Sequence, residues 1–357
     1  MNPIEPIAFD GEIGHVAALE DGRILSCYTE RDSLTNLDEE RPERWTYVRI
    51  SEDGGRTWTE PQRAFAFPAG KGVSGSNLPL VAHDGSVHIF SLRFYSLGRD
   101  KERSWHSVLL HTVSKDGGKT WSALKEIDFG HDYTGALNCA LQMDNGRILV
   151  PLSYLDEQRT SGRFVSMVVY SDDDGQTWGR SNDCAVSSGG EYIESGACEP
   201  VVVQFRSGMV WMVIRTQTGY FWESFSNDGA IWTPPRGTRI VASNAPAGVL
   251  RLRDGRIVMF WNNLYGEPFH EGISYARQYL HGAISDDEGQ TWSPPEIIAH
   301  RRPHEPPNTQ TTYPFLCQAP DGAVVLVYYR IGAQPGRGWN DPVRELVRVD
   351  PEWLARS

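Results

Sequence analysis

The sequence predicts an all-β chain folded as a six-bladed β-propeller with Asp-box hairpins, and two interleaved repeats together with one absence carry the prediction. The first repeat is a turn of the pattern S-x-D-x-G-x-T-W, the Asp box. It reads SEDGGRTW at Ser51 to Trp58, SKDGGKTW at Ser114 to Trp121, SDDDGQTW at Ser171 to Trp178 and SDDEGQTW at Ser285 to Trp292. A fifth copy, SNDGAIW from Ser226 to Trp232, is one residue short. Such a segment satisfies itself: the Asp carboxylate accepts from backbone N–H groups of the turn, Gly supplies a positive φ, and Trp packs back onto the layer. Its expected contribution is to stability and not to catalysis.

The second repeat is a short turn between two apolar runs: LEDGRIL around Gly22, AHDGSVHIF around Gly85, MDNGRILV around Gly146, FRSGMVWMV around Gly208, LRDGRIVMF around Gly255 and APDGAVVLV around Gly322. Asp-Gly or Asn-Gly in this setting is the strongest short-range hairpin signal. Successive glycines lie 63, 61, 62, 47 and 67 residues apart, and each of the first five is followed by one Asp box. Each unit therefore holds two hairpins, the content of a four-stranded antiparallel blade. Radial closure buries both faces of every sheet and leaves only short, protected edges. The absence is helical, because apolar spacing of i, i+3, i+4, i+7 is nowhere sustained. No sixth Asp box follows Gly322, only the strand-like ELVRV from Glu345, so the last blade is expected to be completed by the other terminus through residues before Gly22. Residues 1–357 are read as one such domain.

Composition narrows the partners. With 39% hydrophobic and 22% charged residues the chain has the makings of a packed core, and disorder is excluded. A formal charge of −12, with basic residues scattered, argues against nucleic acid or an anionic membrane as partner. The start, MNPIEPIAFDGEIG, has no basic stretch followed by an apolar one, and no segment approaches the ~18 apolar residues of a membrane helix. The expectation is a cytoplasmic protein, or a secreted or periplasmic one if an export signal preceded this sequence. Cys27, Cys139, Cys184, Cys198 and Cys317 are scattered and form no CxxC pair, which reads as buried free thiols. His106, His131, His270, His281 and His304 stand singly without zinc-site spacing, so no metal and no cofactor are expected and these histidines read as surface or satisfied residues.

Register points to a site. With each hairpin glycine as origin, Glu199 lies nine before Gly208 and Tyr313 nine before Gly322, at the start of the innermost strand and the rim of the central channel. Asn138 and Asn77 lie eight before Gly146 and Gly85, and the SNAP segment with Asn244 places Pro246 nine before Gly255. Polar groups converging at one end of a channel are what a ligand site in a propeller requires. Exposed-loop aromatics such as Trp45, Tyr95, Trp105, Tyr265 and Tyr279 either stack on sugar faces or simply pack.

Five Asp boxes interleaved with six such hairpins resemble the sialidase superfamily over most of the chain. CEPVVVQFRSGMVWMVIR is similar to that family's Glu-to-Arg segment, with Glu199 and, sixteen residues on, Arg215. YPFLCQAPDG is similar to the segment that carries its nucleophilic tyrosine, here Tyr313, and Arg277, eight before Ser285, falls where the family has another arginine. The resemblance implies that Glu199 activates Tyr313 and that Arg215 and Arg277 bind a substrate carboxylate. The residue types suit that chemistry. A carboxylate on the anomeric carbon repels an anionic nucleophile but not a neutral tyrosine, and guanidinium forks hold a carboxylate by bidentate bonds.

The chain also departs from the family. Its first arginine belongs to an F-R-I-P-like segment before the first hairpin, where this chain reads GEIGHVAALEDG, with His15 at the rim. Arg31 and Arg93 are the candidate substitutes, and the glutamate that orients the missing arginine is Tyr329 here, seven after Gly322. The acid/base implied is an Asp on the first blade's loop; ERDSLTNLDEERPERW offers Asp32, Asp38, Glu39 and Glu40, with Asp38, at mid-loop, preferred. The reading is therefore an exo-glycosidase acting on a terminal acidic sugar with retention. A glycan-binding propeller without turnover stands beside it, as does a lyase or different glycosidase using His15 and Tyr313 as proton carriers.

Overall fold

The computed structural model describes residues 4–30, 40–96, 105–134, 136–156, 158–159, 162–187, 195–263, 276–333 and 342–356. The paired apolar runs form the expected antiparallel sheets, six in number. The first blade is β1 (His15–Ala18), β2 (Ile24–Thr29), β3 (Arg44–Ser51) and β4 (Gln62–Phe67), and the second is β5 (Val73–Val81), β6 (Val87–Ser96), β7 (Trp105–Ser114) and β8 (Lys125–Ile127). In the third, β9 (Tyr133–Thr134) and β10 (Leu141–Gln142) share the inner edge of β11 (Ile148–Leu155), followed by β12 (Phe164–Ser171), β13 (Gly179–Arg180) and β14 (Cys184–Ala185). The fourth is β15 (Cys198–Gln204), β16 (Val210–Arg215), β17 (Tyr220–Ser226) and β18 (Arg236–Val241), and the fifth β19 (Gly248–Arg251), β20 (Ile257–Trp261), β21 (Tyr279–Ser285) and β22 (Glu296–His300). The sixth has three strands, β23 (Gln310–Gln318), β24 (Val324–Ile331) and β25 (Val343–Val349), and is followed by the short helix α1 (Pro351–Ala355). Inner strands touch around a ring: β1 packs on β5 and β23, and β19 on β15 and β23.

The core is divided as the ring is. Six clusters of buried apolar residues each lie between two neighbouring blades, from Leu25 with Ile89 between the first and second to Ile24 with Val327 between the sixth and first. The Asp-box tryptophans belong to these interfaces. Trp58, Trp121, Trp178, Trp232 and Trp292 each pack where their own blade meets the preceding one. The sixth blade has no box, and there Trp353 and Leu354 of α1 supply the apolar filling instead.

Each box holds itself as its sequence implies. Asp173 Oδ1 accepts from Ser171 Oγ (2.8 Å), Gln176 N (3.1 Å) and Thr177 N (2.8 Å), while Oδ2 accepts from Thr177 Oγ1 (2.6 Å). The Thr177 hydroxyl and N–H bring the Asp173 carboxyl down to about 2. The short copy lacks the threonine, and Asp228 Oδ1 accepts from Ser226 Oγ, Ala230 N and Ile231 N at 3.0, 2.8 and 2.9 Å. The fourth position of the box is left-handed, with φ of 72° at Gly54 and Gly117, 55° at Asp174 and 61° at Glu288.

A further set of side chains stitches blade to blade. Gln142, Gln204 and Gln318, each four before a hairpin glycine, donate to that glycine's carbonyl at 2.8, 3.0 and 3.0 Å. Their Oε1 atoms accept from His83 N, Asp144 N and Arg253 N of the preceding blade at 2.6, 2.9 and 2.8 Å. Arg251 fills the same position in the fifth blade, donating to Gly255 O at 2.7 Å and to Gln204 O at 2.7 Å.

Two expectations need correction or confirmation here. Among the described residues the segment before Gly22 does not give the sixth blade a fourth strand: His15–Ala18 is the inner strand of the first blade, and closure beside β25 is one backbone bond, Ile7 N to Leu346 O at 2.8 Å, and the Arg344–Glu12 ion pair at 3.2 Å, with Ile7 and Phe9 packed against the core. The irregular, proline-containing chain from Ile4 to Phe9 offers no alternating run to extend the ladder. All five cysteines are free thiols, and among the described residues no helix is long and apolar enough to cross a membrane.

Two predictions follow from local structure. Asp174 is exposed and left-handed, so Asp174→Gly relieves strain worth about 1 kcal/mol, partly offset by glycine's chain entropy, and is expected to raise the melting temperature slightly. Glu288→Gly removes the ion pair to Arg251 (2.5 Å) and is expected to lower it; thermal unfolding of both variants checks the opposite signs. The second concerns acid. His88 Nδ1 lies 3.0 Å from His111 Nε2, and Ser86 Oγ, which donates to Asp84, lies 3.1 Å from His88 Nε2, so the chain of bonds is complete with both imidazoles neutral. Burial lowers His88 and brings His111 down to about 3. The unfolded chain thus takes up protons first, and stability that is whole above pH ~6.5 is lost on acidification, by about 2 kcal/mol for His111 at pH 5. Urea unfolding at pH 7 and pH 5 is expected to show a smaller loss for His111→Phe than for the parent chain.

Candidate functional site

Two strands break register at the same place. The pairing of β15 shifts between Cys198 and Val201, and that of β23 between Thr312 and Phe315. Pro200 and Pro314 have no N–H for the ladder, so each strand bulges, and the residue before each proline is left-handed: φ is 42° at Glu199 and 56° at Tyr313. Left-handed non-glycine residues of this kind cost about 1–3 kcal/mol each and persist where their surroundings over-determine them. Both lie at the channel rim, opposite the end that carries the hairpin glycines and Asp boxes.

The two side chains meet. Tyr313 Oη donates to Glu199 Oε1 at 3.2 Å, and the same oxygen accepts from Ala136 N at 2.9 Å. Arg215 Nη1 donates to Glu199 Oε2 at 2.5 Å, and its Nε to Asn244 Oδ1 at 2.6 Å. Arg277 is 0% exposed and bonds through Nε (3.1 Å) and Nη2 to the backbone carbonyl of Asn244, with its Cζ 5.6 Å from the Tyr313 ring centre. One asparagine therefore positions both arginines. Burial and the Glu199 charge push the Tyr313 phenol far above its usual range, against the pull of Arg215 and Arg277. Burial opposes charge on Arg215, yet Glu199 holds it protonated. The arrangement is a neutral phenol with its proton acceptor in place and two fixed guanidinium groups alongside.

The remaining expected residues divide. Asn138 stands beside this cluster, its Nδ2 donating to Ala136 O at 3.1 Å. Asn77 is taken up in a buried chain, donating to Thr29 Oγ1 (2.8 Å) and accepting from Ser91 Oγ (2.7 Å). His15 is buried and stacked on Phe315 at 3.5 Å, and its Nε2 faces Tyr329 Oη at 3.4 Å. Burial and the nearby Arg344 lower its pKa well below the ordinary value, so it is a neutral group. Arg93 is buried against the connection between the first two blades, donating to Pro68 O and Lys71 O at 3.2 and 3.0 Å, and does not join Arg215 and Arg277. Arg31 and Asp38 lie outside the described residues. Ala136 and the backbone role of Asn244 were not anticipated, since a main-chain contact leaves no residue-type signal. Below the site a cavity of about 390 Å³ runs along the channel from His15 and Asn138 to Gln204 and Arg251. Among the described residues no three His, Cys, Asp or Glu side chains gather to hold a metal ion.

The BNR repeat-like domain family matches residues 22–326. A sialidase of Micromonospora viridifaciens is 26% identical over 353 residues, covering 89% of this chain and 48% of that protein. The chain spans about half the length of the curated relatives it matches. Among solved structures, the leech intramolecular trans-sialidase complexed with 2,7-anhydro-Neu5Ac aligns over 100% of this chain and 72% of its own, with a TM-score of 0.71 at 16% identity. A Dyadobacter fermentans protein of unknown function aligns over 98% and 100%, with a TM-score of 0.67 at 20% identity. At such identities the structures speak for the fold. The family match runs from the first hairpin glycine into the last blade, and the chain belongs to the BNR repeat-like domain family of the sialidase superfamily.

Proposed function

We propose that the protein is an exo-acting glycosidase of the sialidase type, which hydrolyses a terminal acidic sugar with retention through a covalent tyrosyl intermediate. The observation that carries the reading is the contact of Tyr313 Oη with Glu199 Oε1 at 3.2 Å, flanked by Arg215 and Arg277. In the proposed first step Tyr313 Oη attacks the anomeric carbon while its proton passes to Glu199, and the bond to the leaving oxygen breaks. An acid protonates that oxygen; the loop containing Asp38 is the sequence's candidate. Water then attacks the anomeric carbon and gives a proton to the conjugate base of that acid, the tyrosyl bond breaks, and the phenol regains its proton from Glu199. Arg215 and Arg277 hold the sugar carboxylate, which keeps the anomeric carbon over Tyr313.

His15 is 3% exposed and its Nε2 faces Tyr329, which disfavours the reading in which His15 carries a substrate proton. The carboxylate grip proposed here rests on Arg215 and Arg277.

Turnover is tested with aryl sialosides and aryl uronides. Tyr313→Phe and Glu199→Gln are each expected to lower kcat/KM at least about 100-fold on the substrate that turns over. Sialoside turnover that survives both substitutions overturns the mechanism. No turnover, together with glycan binding that Arg215→Ala abolishes, makes the protein a binding propeller. Arg277→Lys keeps the charge and loses the fork, and is expected to raise KM about tenfold with a smaller change in kcat, measured in the same assay.

A further inference from the structure

The top of the second blade, outside the Tyr313 cluster, carries an arrangement that packing alone does not require. Arg93 is 6% exposed, and among the described residues it has no carboxylate partner; its Nε is unpaired and its Nη2 reaches only two backbone carbonyls. Its charge lies instead over two rings, 5.5 Å from Phe67 and 5.2 Å from Tyr95. Among the described residues the charge of Arg93 is therefore met by ring faces and backbone carbonyls alone, and the Tyr95 ring packs against it.

Tyr95 faces His106 across the strand pair β6–β7, with ring centres 6.1 Å apart and 29° between planes. His106 is itself oriented: its Nδ1 is bonded to Asp132 Oδ1, which also accepts from Ser107 N at 2.9 Å. The Asp132 side chain is 10% exposed and that of His106 44%, so the carboxylate is inside and the imidazole outside. With Nδ1 committed to Asp132, Nε2 has no partner among the described residues and belongs to a ring whose side chain is 44% exposed.

Position connects this shelf to the pocket. Asp132 lies four residues before Ala136, whose N–H binds Glu199, and four residues of chain span at most about 14 Å. Leu137 N also donates to Ser76 Oγ at 3.2 Å, which ties the same segment to the inner strand of the second blade.

We propose that Tyr95 and His106 form an outer sugar subsite, in which the two rings give a stacking face and His106 Nε2 bonds a hydroxyl of the sugar unit next to the one held over Tyr313. The proposal rests on the glycosidase reading and extends it: the ligand is an oligosaccharide, recognised through at least two units. Arg93, over the Tyr95 ring, and Asp132, bonded to Nδ1 at the edge of the His106 ring, are positioning residues.

The test measures binding by calorimetry, with Tyr313→Phe protein so that ligand is not consumed. The probes are 3′-sialyllactose, which has neutral sugars beyond the acidic one, and free sialic acid, which has none. Adding His106→Ala is expected to weaken the trisaccharide about tenfold and to leave the monosaccharide within about twofold. Arg93→Gln is expected to act in the same direction, but it replaces a buried residue, so the exposed His106→Ala carries the test by itself. Equal effects on both probes, or none on either, overturn the subsite. If sialic acid binds and Arg277→Lys weakens it while His106→Ala spares the trisaccharide, the subsite falls and the glycosidase reading stands. If neither probe binds, the sialidase reading fails and takes the subsite with it.

Discussion

The carboxylate of Glu199 is the point on which the rim of this propeller depends. It belongs to the fourth blade, takes the Ala136 N–H of the third and the Tyr313 hydroxyl of the sixth, and through Arg215 and Asn244 it reaches Arg277 of the fifth. Charges this deeply buried are tolerable only when paired and hydrogen-bonded, and the loss of one partner strands the other at a cost of about 3–5 kcal/mol. The cluster is therefore all or nothing. That property makes it weak evidence for stability and strong evidence for a fixed geometry, because no member can turn away without leaving another unsatisfied.

The ring does not depend on that cluster for its own cohesion. Its stability comes from interfaces of repeated form, each filled from both blades and each but one plugged by an Asp-box tryptophan. Where the box is missing, α1 brings Trp353 and Leu354 into the equivalent place. The glutamine stitches of the third, fourth and sixth blades and Arg251 of the fifth act at the hairpin end, whereas Ala18 and Val81 occupy that position in the first and second blades and have nothing to donate. Tight turns at one end thus hold the sheets while the other end is left to loops and inner-strand starts. Chemistry at the rim is free to vary without loosening the ring.

This division explains what the sequence shows and what it conceals. The fold is legible because its devices are local: an Asp-Gly turn or an Asp box needs a particular residue at a particular offset, and spacing does the rest. Glu199 and Tyr313 are legible because they share a register with those turns, and Arg215 and Arg277 because their segments resemble those of the sialidase superfamily. Asn77 and Asn138 show the limit of the method. Each lies eight, not nine, before its glycine, and in a strand one residue reverses the face. Ser76, at the ninth position, is the residue that reaches the third blade, while Asn77 turns into the chain from Thr29 to Ser91. The Ala136 N–H, the Asn244 carbonyl and the α1 plug are invisible in sequence because any residue has a backbone, and because packing between distant segments has no fixed spacing. His106 looked like an ordinary surface residue for the same reason: its partner Asp132 comes from the next blade's first turn.

Glu199 and Tyr313 also show why pseudo-symmetry yields a site and not a mere ring of equivalents. Both precede a proline in a bulge, both are left-handed, and the blades that carry them are separated by one other. The same backbone device used twice aims two side chains at a common point. The blade between them has Ala245, Pro246 and Ala247 where its neighbours have these two residues, so it leaves the point open and lets Arg277 and Asn244 approach from behind. A glycine at either bulge would relieve the left-handed strain and lose the side chain for which the strain exists. Prolines that only interrupted the ladder would do nothing for function. Here the interruption is what converts two β-strands, otherwise buried and interchangeable with their neighbours, into the two halves of a hydrogen-bonded tyrosine–glutamate pair.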